Sequence, residues 1–250
     1  MAPKRKRPRA PAGSGGRSRD FHIKPPKRPQ PLLAVPPPPV TADVRPALTI
    51  AGIGASAGGL ESFTTLLKAL PARPGVALVF VQHLAPQHES ALVPLLSGQS
   101  ALPVVQAAHG MVVEANHVYV IPPNVQMSIV DRTLHLNARP DDRSQYTPVD
   151  AFFSSLAEAA GSRAIGIILS GTASDGSLGV RDIKAAGGVT IAQTPESAKY
   201  DGMPRAAIAT GMVDLILPPK QIGAKLAELS RHAYVKTPEK AITELPVTED

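Results

Sequence analysis

The strongest constraint on the fold is a regular alternation of short apolar runs with helical patterns, which begins at Leu48. The runs rich in Val and Ile predict strands at 48–54, 76–82, 117–121, 164–169, 189–192 and 213–217. The segments between and after them predict helices at 58–70, 88–98, 149–160, 176–186, 204–210 and 219–231. Strand alternating with helix is typical of the doubly wound α/β class, in which helices cover both faces of a mainly parallel sheet.

One segment, residues 122–138, breaks this alternation. It contains "NVQMSIVDRTLHLN", in which period-2 stretches flank the turn Asp131-Arg132. This pattern predicts a β-hairpin added to the sheet. The following helix is expected to begin with Thr147 as N-cap and Pro148 in its first turn.

The two ends of the chain differ from this central region. Residues 1–46 hold 12 of the 27 prolines and carry 11 Lys and Arg against 2 Asp and Glu. So few apolar residues cannot offset the entropy of ordering, which predicts a disordered basic tail before a domain at 47–234. Residues 235–250 predict a polar C-terminal tail. The basic tail is either a solvated extension or a polybasic contact, and with Phe21 as its one aromatic residue a nucleic acid partner is not expected.

Composition also narrows the functional classes. The chain has no cysteine, which excludes disulfides, zinc thiolate sites and cysteine nucleophiles. No apolar run approaches the roughly 20 residues of a membrane span, and no apolar h-region follows the basic N-terminus. We therefore expect a cytoplasmic protein without membrane insertion.

Glycines surround Ser56 where the first predicted strand meets the first predicted helix, in "LTIAGIGASAGGLESF". The stretch fits a dinucleotide motif, G-x-G-x-x-A from Gly52, and a nucleophile motif, G-x-S-x-G from Gly54. Small neighbours leave clearance for a serine side chain, and the N–H of Ala57 would face an oxyanion formed there. A phosphate suits the same geometry, so the turn alone does not separate the two functions.

Two further strand ends carry polar residues. The second strand ends in His83, where a dinucleotide site needs an acidic residue about 20 residues after the glycines. A histidine is instead the base that a serine nucleophile needs, and His88 is a weaker candidate for it. Asp175, after a later strand, is placed to accept a hydrogen bond from the imidazole. The alternatives are that His83 is a polar strand end and that Asp175-Gly176 is a helix cap and turn.

The order Ser, His, Asp differs from the Ser, Asp, His order of α/β-hydrolases. Five motifs resemble instead the catalytic domain of CheB, the protein-glutamate methylesterase family of bacterial chemotaxis. They are "IGASAGGLESF", "VQHLAPQHESAL", "HVYVIPPN", "LSGTASDGSLG" and "AKYDGMPRAAI", in the family's order between about Leu48 and Leu229. The variant is most similar to the methylesterase modules fused to CheR-type methyltransferases.

The resemblance implies a Ser-His-Asp triad and assigns its members. Ser56 would be the nucleophile, His83 the general base and Asp175 the orienting acid, with Ala57, Gly58 and Thr172 around the oxyanion and the pocket. The implied activity is hydrolysis of glutamyl methyl esters on chemoreceptor-like proteins through an acyl-enzyme, with deamidation of glutamines as a second activity. No metal or organic cofactor is implied.

The chain departs from the family pattern in three respects. Residues 1–46 stand where CheB carries a receiver domain, so phosphorylation control in cis is not expected. No methyltransferase module follows Asp250, so a CheR-type partner is expected to act in trans. Gly171-Thr172-Ala173 stands where chemotaxis members have Gly-Met-Gly, which changes the expected pocket.

The changed pocket leaves open a related serine esterase or amidase with a different substrate. A non-catalytic signalling protein that binds partners through the basic tail is the alternative from another class. In "DGMPR", Arg205 either belongs to a simple helix start or contacts an acidic receptor surface.

Overall fold

The structure is a computed structural model that describes residues 47–82, 92–139 and 146–231. Both predicted tails, the candidate bases His83 and His88, and the start of the second predicted helix lie outside the described residues. The strands are β1 (Thr49–Ala55), β2 (Val76–Gln82), β3 (Val104–Gln106), β4 (Val118–Val120), β5 (Val125–Val130), β6 (Thr133–Ala138), β7 (Ala164–Ile168), β8 (Val189–Gln193) and β9 (Leu215–Leu217). The helices are α1 (Gly59–Lys68), α2 (Leu92–Ser97), α3 (Pro148–Ala160), α4 (Ser177–Ala185), α5 (Gly202–Ala209) and α6 (Pro219–Leu229).

Seven strands form one parallel sheet in the order β3-β4-β2-β1-β7-β8-β9. The central strand β1 pairs with β2 on one side and with β7 on the other, with Ala55 opposite Gln82 and Gly54 opposite Ile168. This register brings the carboxyl ends of three adjacent strands to one edge. The predicted α/β class, with a mainly parallel sheet, is confirmed.

The predicted hairpin is present, and its place in the fold differs from the expectation. Asp131 and Arg132 both have positive φ, 45° and 72°, as a two-residue type I′ turn requires. Strands β5 and β6 form a separate two-stranded antiparallel sheet instead of extending the main one. Because Met127, Ile129 and Leu134 are buried, the hairpin packs its apolar face inward, and the N–H of Ile129 donates to Ser155 Oγ of α3 at 3.1 Å.

Two apolar cores lie on the two faces of the sheet. On one face, glycines in β1 let α3 approach closely, since a Cβ on Gly52 would lie 3.0 Å from both Leu156 and Phe153. On the other face, α1 covers the sheet, and Phe63 stacks on Phe80 with ring centroids 4.2 Å apart. Within the described ranges, no helix is long and apolar enough to cross a bilayer.

Candidate active site

Ser56 lies in the turn between β1 and α1, at the carboxyl edge of the sheet, and is half-buried. The turn reverses direction at Gly58, the N-cap of α1, which has φ 72°. That left-handed conformation favours glycine, and a Cβ at Gly58 would lie only 2.7 Å from Ser170 Oγ. The glycine is therefore required both by the backbone and by the space around it.

The main chain of Ser56 is held by both neighbouring strands. Its N–H donates to the carbonyl of Ser170 at 3.1 Å, and its carbonyl accepts from Gln82 Nε2 at 3.3 Å and from the N–H of Gly59 at 2.9 Å. For the N–H of Ala57, no acceptor is found among the residues that the structure describes. The turn is thus fixed in place while one backbone donor beside the serine remains available to an anion.

Ser170, two residues after β7, ties three segments together and is fully buried. Its Oγ lies 2.9 Å from the carbonyl of Ala57 and 3.2 Å from that of Tyr200, and it accepts the N–H of Tyr200 at 3.0 Å. Its own N–H donates to Gln193 Oε1 at 2.8 Å. The sequence reasoning missed Ser170 and Gln193, although both are polar residues at the ends of predicted strands.

The loop after Ser170 begins against the nucleophile turn and then becomes exposed. Gly171 is hydrogen-bonded to Tyr200 and Met203, and a Cβ at Gly171 would lie 3.0 Å from Ser56 Cβ and overlap Met203 Sδ. Thr172, the predicted pocket residue, is exposed, as are the next two residues. The structure therefore puts Thr172 one residue beyond the close contact with Ser56.

Asp175 is buried, and its carboxylate caps α3. Oδ2 accepts the N–H of Val149 at 3.0 Å, and Oδ1 accepts the N–H of Asp150 at 2.9 Å. Thr147 holds the N-cap position as predicted, but its side chain makes no capping hydrogen bond. A carboxylate oxygen has more than one lone pair, so this capping leaves acceptor capacity for an imidazole. Asp175 thus caps α3 and not the helix that follows it, whose N-cap is Gly176, and this role is compatible with the catalytic one.

Asp150, which the sequence did not predict as a site residue, caps α4 in the same way that Asp175 caps α3. Its Oδ1 accepts the N–H of Gly179 in the first turn of α4 at 2.8 Å. Burial raises the pKa of Asp150, the hydrogen bond from Gly179 lowers it, and the charge of Asp175 raises it further. Two carboxylates thus lie close together at the starts of two helices.

An aromatic side chain lies within the electrostatic reach of Asp175. Tyr146 donates its hydroxyl to the carbonyl of Val125 at 2.8 Å, and the Arg139 guanidinium lies 4.0 Å from its ring centroid. Burial raises the pKa of Tyr146, the charge of Arg139 lowers it, and that of Asp175 raises it. Tyr146 therefore contacts Arg139 at the end of the hairpin and also lies close enough to Asp175 to feel its charge.

An open groove of about 610 Å³ begins at Gly58, two residues beyond Ser56. The start of α1 forms one wall, with Glu61 and Thr65, and the segment Ser197–Lys199 forms the other. Across residues 47–82, 92–139 and 146–231, no cluster of three or more His, Cys, Asp or Glu side chains could hold a metal ion. The groove is open to solvent, and its lining is partly polar and partly apolar.

Arg205 has a local partner. Its Nε lies 2.5 Å from Asp201 Oδ2, one helical turn earlier, and both side chains are exposed. The hydrogen bond from Arg205 holds the pKa of Asp201 below its usual value. The pair fits a simple helix start, and a receptor contact by Arg205 stays a prediction.

The structure brings several of the sequence-predicted residues to one edge of the sheet. Ser56, Ala57 and Gly58 form the turn, and the loop from Gly171 to Asp175 borders it. The predicted base, His83, directly follows Gln82 at the end of β2 and lies outside the described residues. The catalytic roles of the three triad residues therefore stay predictions.

The protein is thus a doubly wound α/β domain that presents a serine at the carboxyl edge of its central strand. The sequence pattern of the CheB methylesterase family matches residues 51–226. The chain belongs to this family, and the resemblance seen in its motifs is confirmed.

Three relatives show the extent of the match. The chain is 38% identical over 190 residues to protein-glutamate methylesterase/protein-glutamine glutaminase 3 of Burkholderia orbicola, which covers 76% of this chain and 56% of that protein. It is 46% identical over 138 residues to an uncharacterized 104.1 kDa protein of Rhodobacter capsulatus, which covers 55% of this chain and 14% of that protein. The crystal structure of the Thermotoga maritima CheB methylesterase catalytic domain superposes with a TM-score of 0.67 at 30% identity, covering 73% of this chain and 98% of that one. The chain spans about half the length of the Burkholderia relative.

Proposed function

We propose that this protein is a protein-glutamate methylesterase that hydrolyses glutamyl methyl esters on a chemoreceptor-like protein and releases methanol. The observation that carries the proposal is Ser56 itself, held at the carboxyl end of the central strand within a domain of the CheB family. The curated Burkholderia relative bears the name of this activity.

The proposed mechanism has two halves joined by an acyl-enzyme. Ser56 Oγ attacks the ester carbonyl while His83 takes its proton, and the N–H of Ala57 stabilises the oxyanion. His83 returns the proton to methanol as it leaves, and then activates the water that hydrolyses the acyl-enzyme. Asp175 accepts the Nδ1–H of His83, which fixes the tautomer and stabilises the imidazolium.

Deamidation of glutamine is a second candidate activity, favoured by the same relative's double name. The steps are identical except that ammonia leaves in place of methanol. An amide nitrogen leaves only when it is protonated, so this reaction depends more strongly on His83 as an acid.

The groove beside Gly58 is open to solvent, which is compatible with a protein substrate. We include in the proposal a methylated chemoreceptor-like partner, a CheR-type methyltransferase acting in trans and a cytoplasmic location. Thr172 lies in the exposed part of the loop, where a change of side chain would alter substrate choice and leave the serine turn intact.

The test uses a chemoreceptor cytoplasmic fragment that carries radiolabelled methyl groups on its glutamates. Wild-type protein should release labelled methanol, and Ser56→Ala should lower the rate by about 10³-fold or more, as expected for members of a catalytic unit. Ser128→Ala, on β5 away from the site, is the matched serine control and should stay within about twofold of the wild type.

Equal rates for wild type and Ser56→Ala would refute the proposal. Ser56-dependent hydrolysis of p-nitrophenyl acetate without release of methanol would favour the related esterase with another substrate. Absence of both activities in the wild type would favour the non-catalytic signalling protein.

A further inference from the structure

Two helices beside the site begin by capping each other. Asp175 follows β7, and its carboxylate accepts the N–H groups of Val149 and Asp150 at the start of α3, at 3.0 and 2.9 Å. Asp150 lies in that first turn of α3, and its carboxylate accepts the N–H of Gly179 in the first turn of α4 at 2.8 Å. The two acids thus exchange hydrogen bonds between the segments that carry them.

Both helix starts need this exchange, because the first N–H groups of a helix have no partner within it. Neither helix uses the side chain of its own N-cap residue. Thr147 makes no capping hydrogen bond, and Gly176, the N-cap of α4, has no side chain to make one. The first turn of α4 is therefore tied to α3 by the carboxylate of Asp150.

The two helices pack so closely at this point that no side chain fits at Gly179. A Cβ on Gly179 would lie 3.2 Å from Asp150 Cα and would overlap Phe153. The segment Asp175–Gly179 is consequently held at both of its ends against one turn of α3. Backbone hydrogen bonds from Gly176 and Leu178 also act on the Asp150 carboxylate, so its removal takes away more than one contact between α3 and the start of α4.

We propose that Asp150 is the positioning residue of the site, since it anchors the start of α4 and thereby fixes the direction of the Asp175 carboxylate. The role rests on the proposed function, in which Asp175 orients the general base. Asp150 itself does not touch the reacting atoms; it acts through Asp175.

The electrostatics of the pair agree with such a role. Burial raises the pKa of Asp150, and the neighbouring charge of Asp175 raises it further. Two close carboxylates repel each other, and the partial positive charges at both helix N-termini offset that repulsion.

The first test needs no substrate. Hydrogen exchange of single amides is followed by NMR in wild type, Asp150→Ala and the control Asp182→Ala, which removes an exposed acid from the same helix α4. We expect Asp150→Ala to speed exchange at Gly179 and also, by about tenfold or more, at Val149. Asp182→Ala should change neither amide. The N–H of Val149 donates to the carboxylate of Asp175. Faster exchange of this amide therefore reports that the hydrogen bond has been lost because the carboxylate has moved. Faster exchange at Gly179 with unchanged exchange at Val149 would overturn the proposal.

The second test is a double-mutant cycle on methanol release. We expect Asp150→Ala to lower kcat by about 10–100-fold with KM within about twofold, and Asp150→Asn, which keeps an acceptor for Gly179, to recover much of the loss. In the Asp175→Ala background, Asp150→Ala should cause no further loss, because a residue that acts through another is silent without it. Losses that multiply in the double variant would overturn the proposal.

The two proposals fail in different ways. Equal activity of wild type and Ser56→Ala removes the esterase function, and the exchange at Val149 still decides whether Asp150 positions Asp175. Full activity of Asp150→Ala, with Ser56→Ala and Asp175→Ala both inactive, removes the positioning role alone. Asp150→Asn also provides a folded variant for both tests if Asp150→Ala does not fold.

Discussion

Replacing Ser170 by alanine is the most informative single perturbation of the site's framework. The hydroxyl is fully buried and joins the turn at Ala57 to the segment at Tyr200. Alanine keeps the backbone at position 170, including the carbonyl that accepts the N–H of Ser56. The substitution therefore removes the side-chain link and leaves the strand in place.

The size of the effect follows from the number of hydrogen bonds. One hydroxyl proton can be donated once, to Ala57 at 2.9 Å or to Tyr200 at 3.2 Å, and the oxygen accepts the N–H of Tyr200 at 3.0 Å. Two bonds at about 0.5–1.5 kcal/mol each give a loss of about 2 kcal/mol in the free energy of unfolding. For a domain of this size, that loss lowers Tm by about 4–8 °C.

The assay is thermal and urea unfolding of the two proteins, with methanol release measured alongside. Ser177→Ala is the matched control, because Ser177 Oγ is buried with no hydrogen-bond partner among the described residues. Its loss should change the free energy of unfolding by less than about 0.5 kcal/mol or raise it. Equal stability of Ser170→Ala and Ser177→Ala would refute the reasoning that Ser170 ties the two segments together.

Two further predictions concern packing and pH. Gly171→Ala should cost about 1–3 kcal/mol and displace Ser56, because the new Cβ overlaps Met203 Sδ; unfolding and methanol release measure both effects. Gly98→Ala, with its nearest atoms at 3.8 Å, is the control, and equal stability of the two variants would contradict the packing argument. Burial alone would raise the pKa of Asp214, but hydrogen bonds from Lys184 and Thr190 outweigh it and hold that pKa below the usual 3.8. The stability that ionised Asp214 contributes is therefore present above pH 3.8 and lost as the pH falls through its lower folded pKa, so the difference from Asp214→Asn should shrink in acid. A difference that stays constant down to pH 2 would refute this assignment.

The elements that the sequence predicted well are those with long, uniform patterns. Strand β1 is buried at all seven positions, and its Val- and Ile-rich neighbours were placed within a residue or two. Strand β3, with three residues of which one is buried and one exposed, was not predicted. This edge strand pairs only with β4 in the sheet, a tertiary contact that the local sequence does not reveal.

The capping of α3 shows why side-chain roles were harder to predict than elements. A Thr-Pro pair correctly marked the start of the helix, but the acceptor for its first N–H groups is Asp175, 25 or 26 residues further along the chain. The alternation of strands and helices does not reveal which helix starts face each other. The link through Ser170 to Tyr200 has the same origin in tertiary contacts.

The glycines of the first strand have a second structural role, which is to let α3 pack closely on the sheet. The sequence interpretation treated them as clearance for Ser56, and Gly58 does serve that turn. Gly52 and Gly54 instead face α3, since a Cβ on Gly54 would lie 3.1 Å from Val149 Cγ2 and overlap its other methyl group. Only the packing of a helix that is distant in sequence separates these two uses.

The close approach of α3 to β1 has a consequence for how such a site can change over time. The strand that leads to the serine and the loop that holds the acid both rest on the first turns of one helix, so any shift of α3 moves both together. The position of the strand relative to the loop is therefore little affected by substitutions elsewhere in the domain. The exposed residues from Thr172 to Ser174 and the walls of the groove do not pack on these turns of α3. A change of side chain in those exposed parts would leave the packing of α3 on β1 and its contact with Asp175 in place.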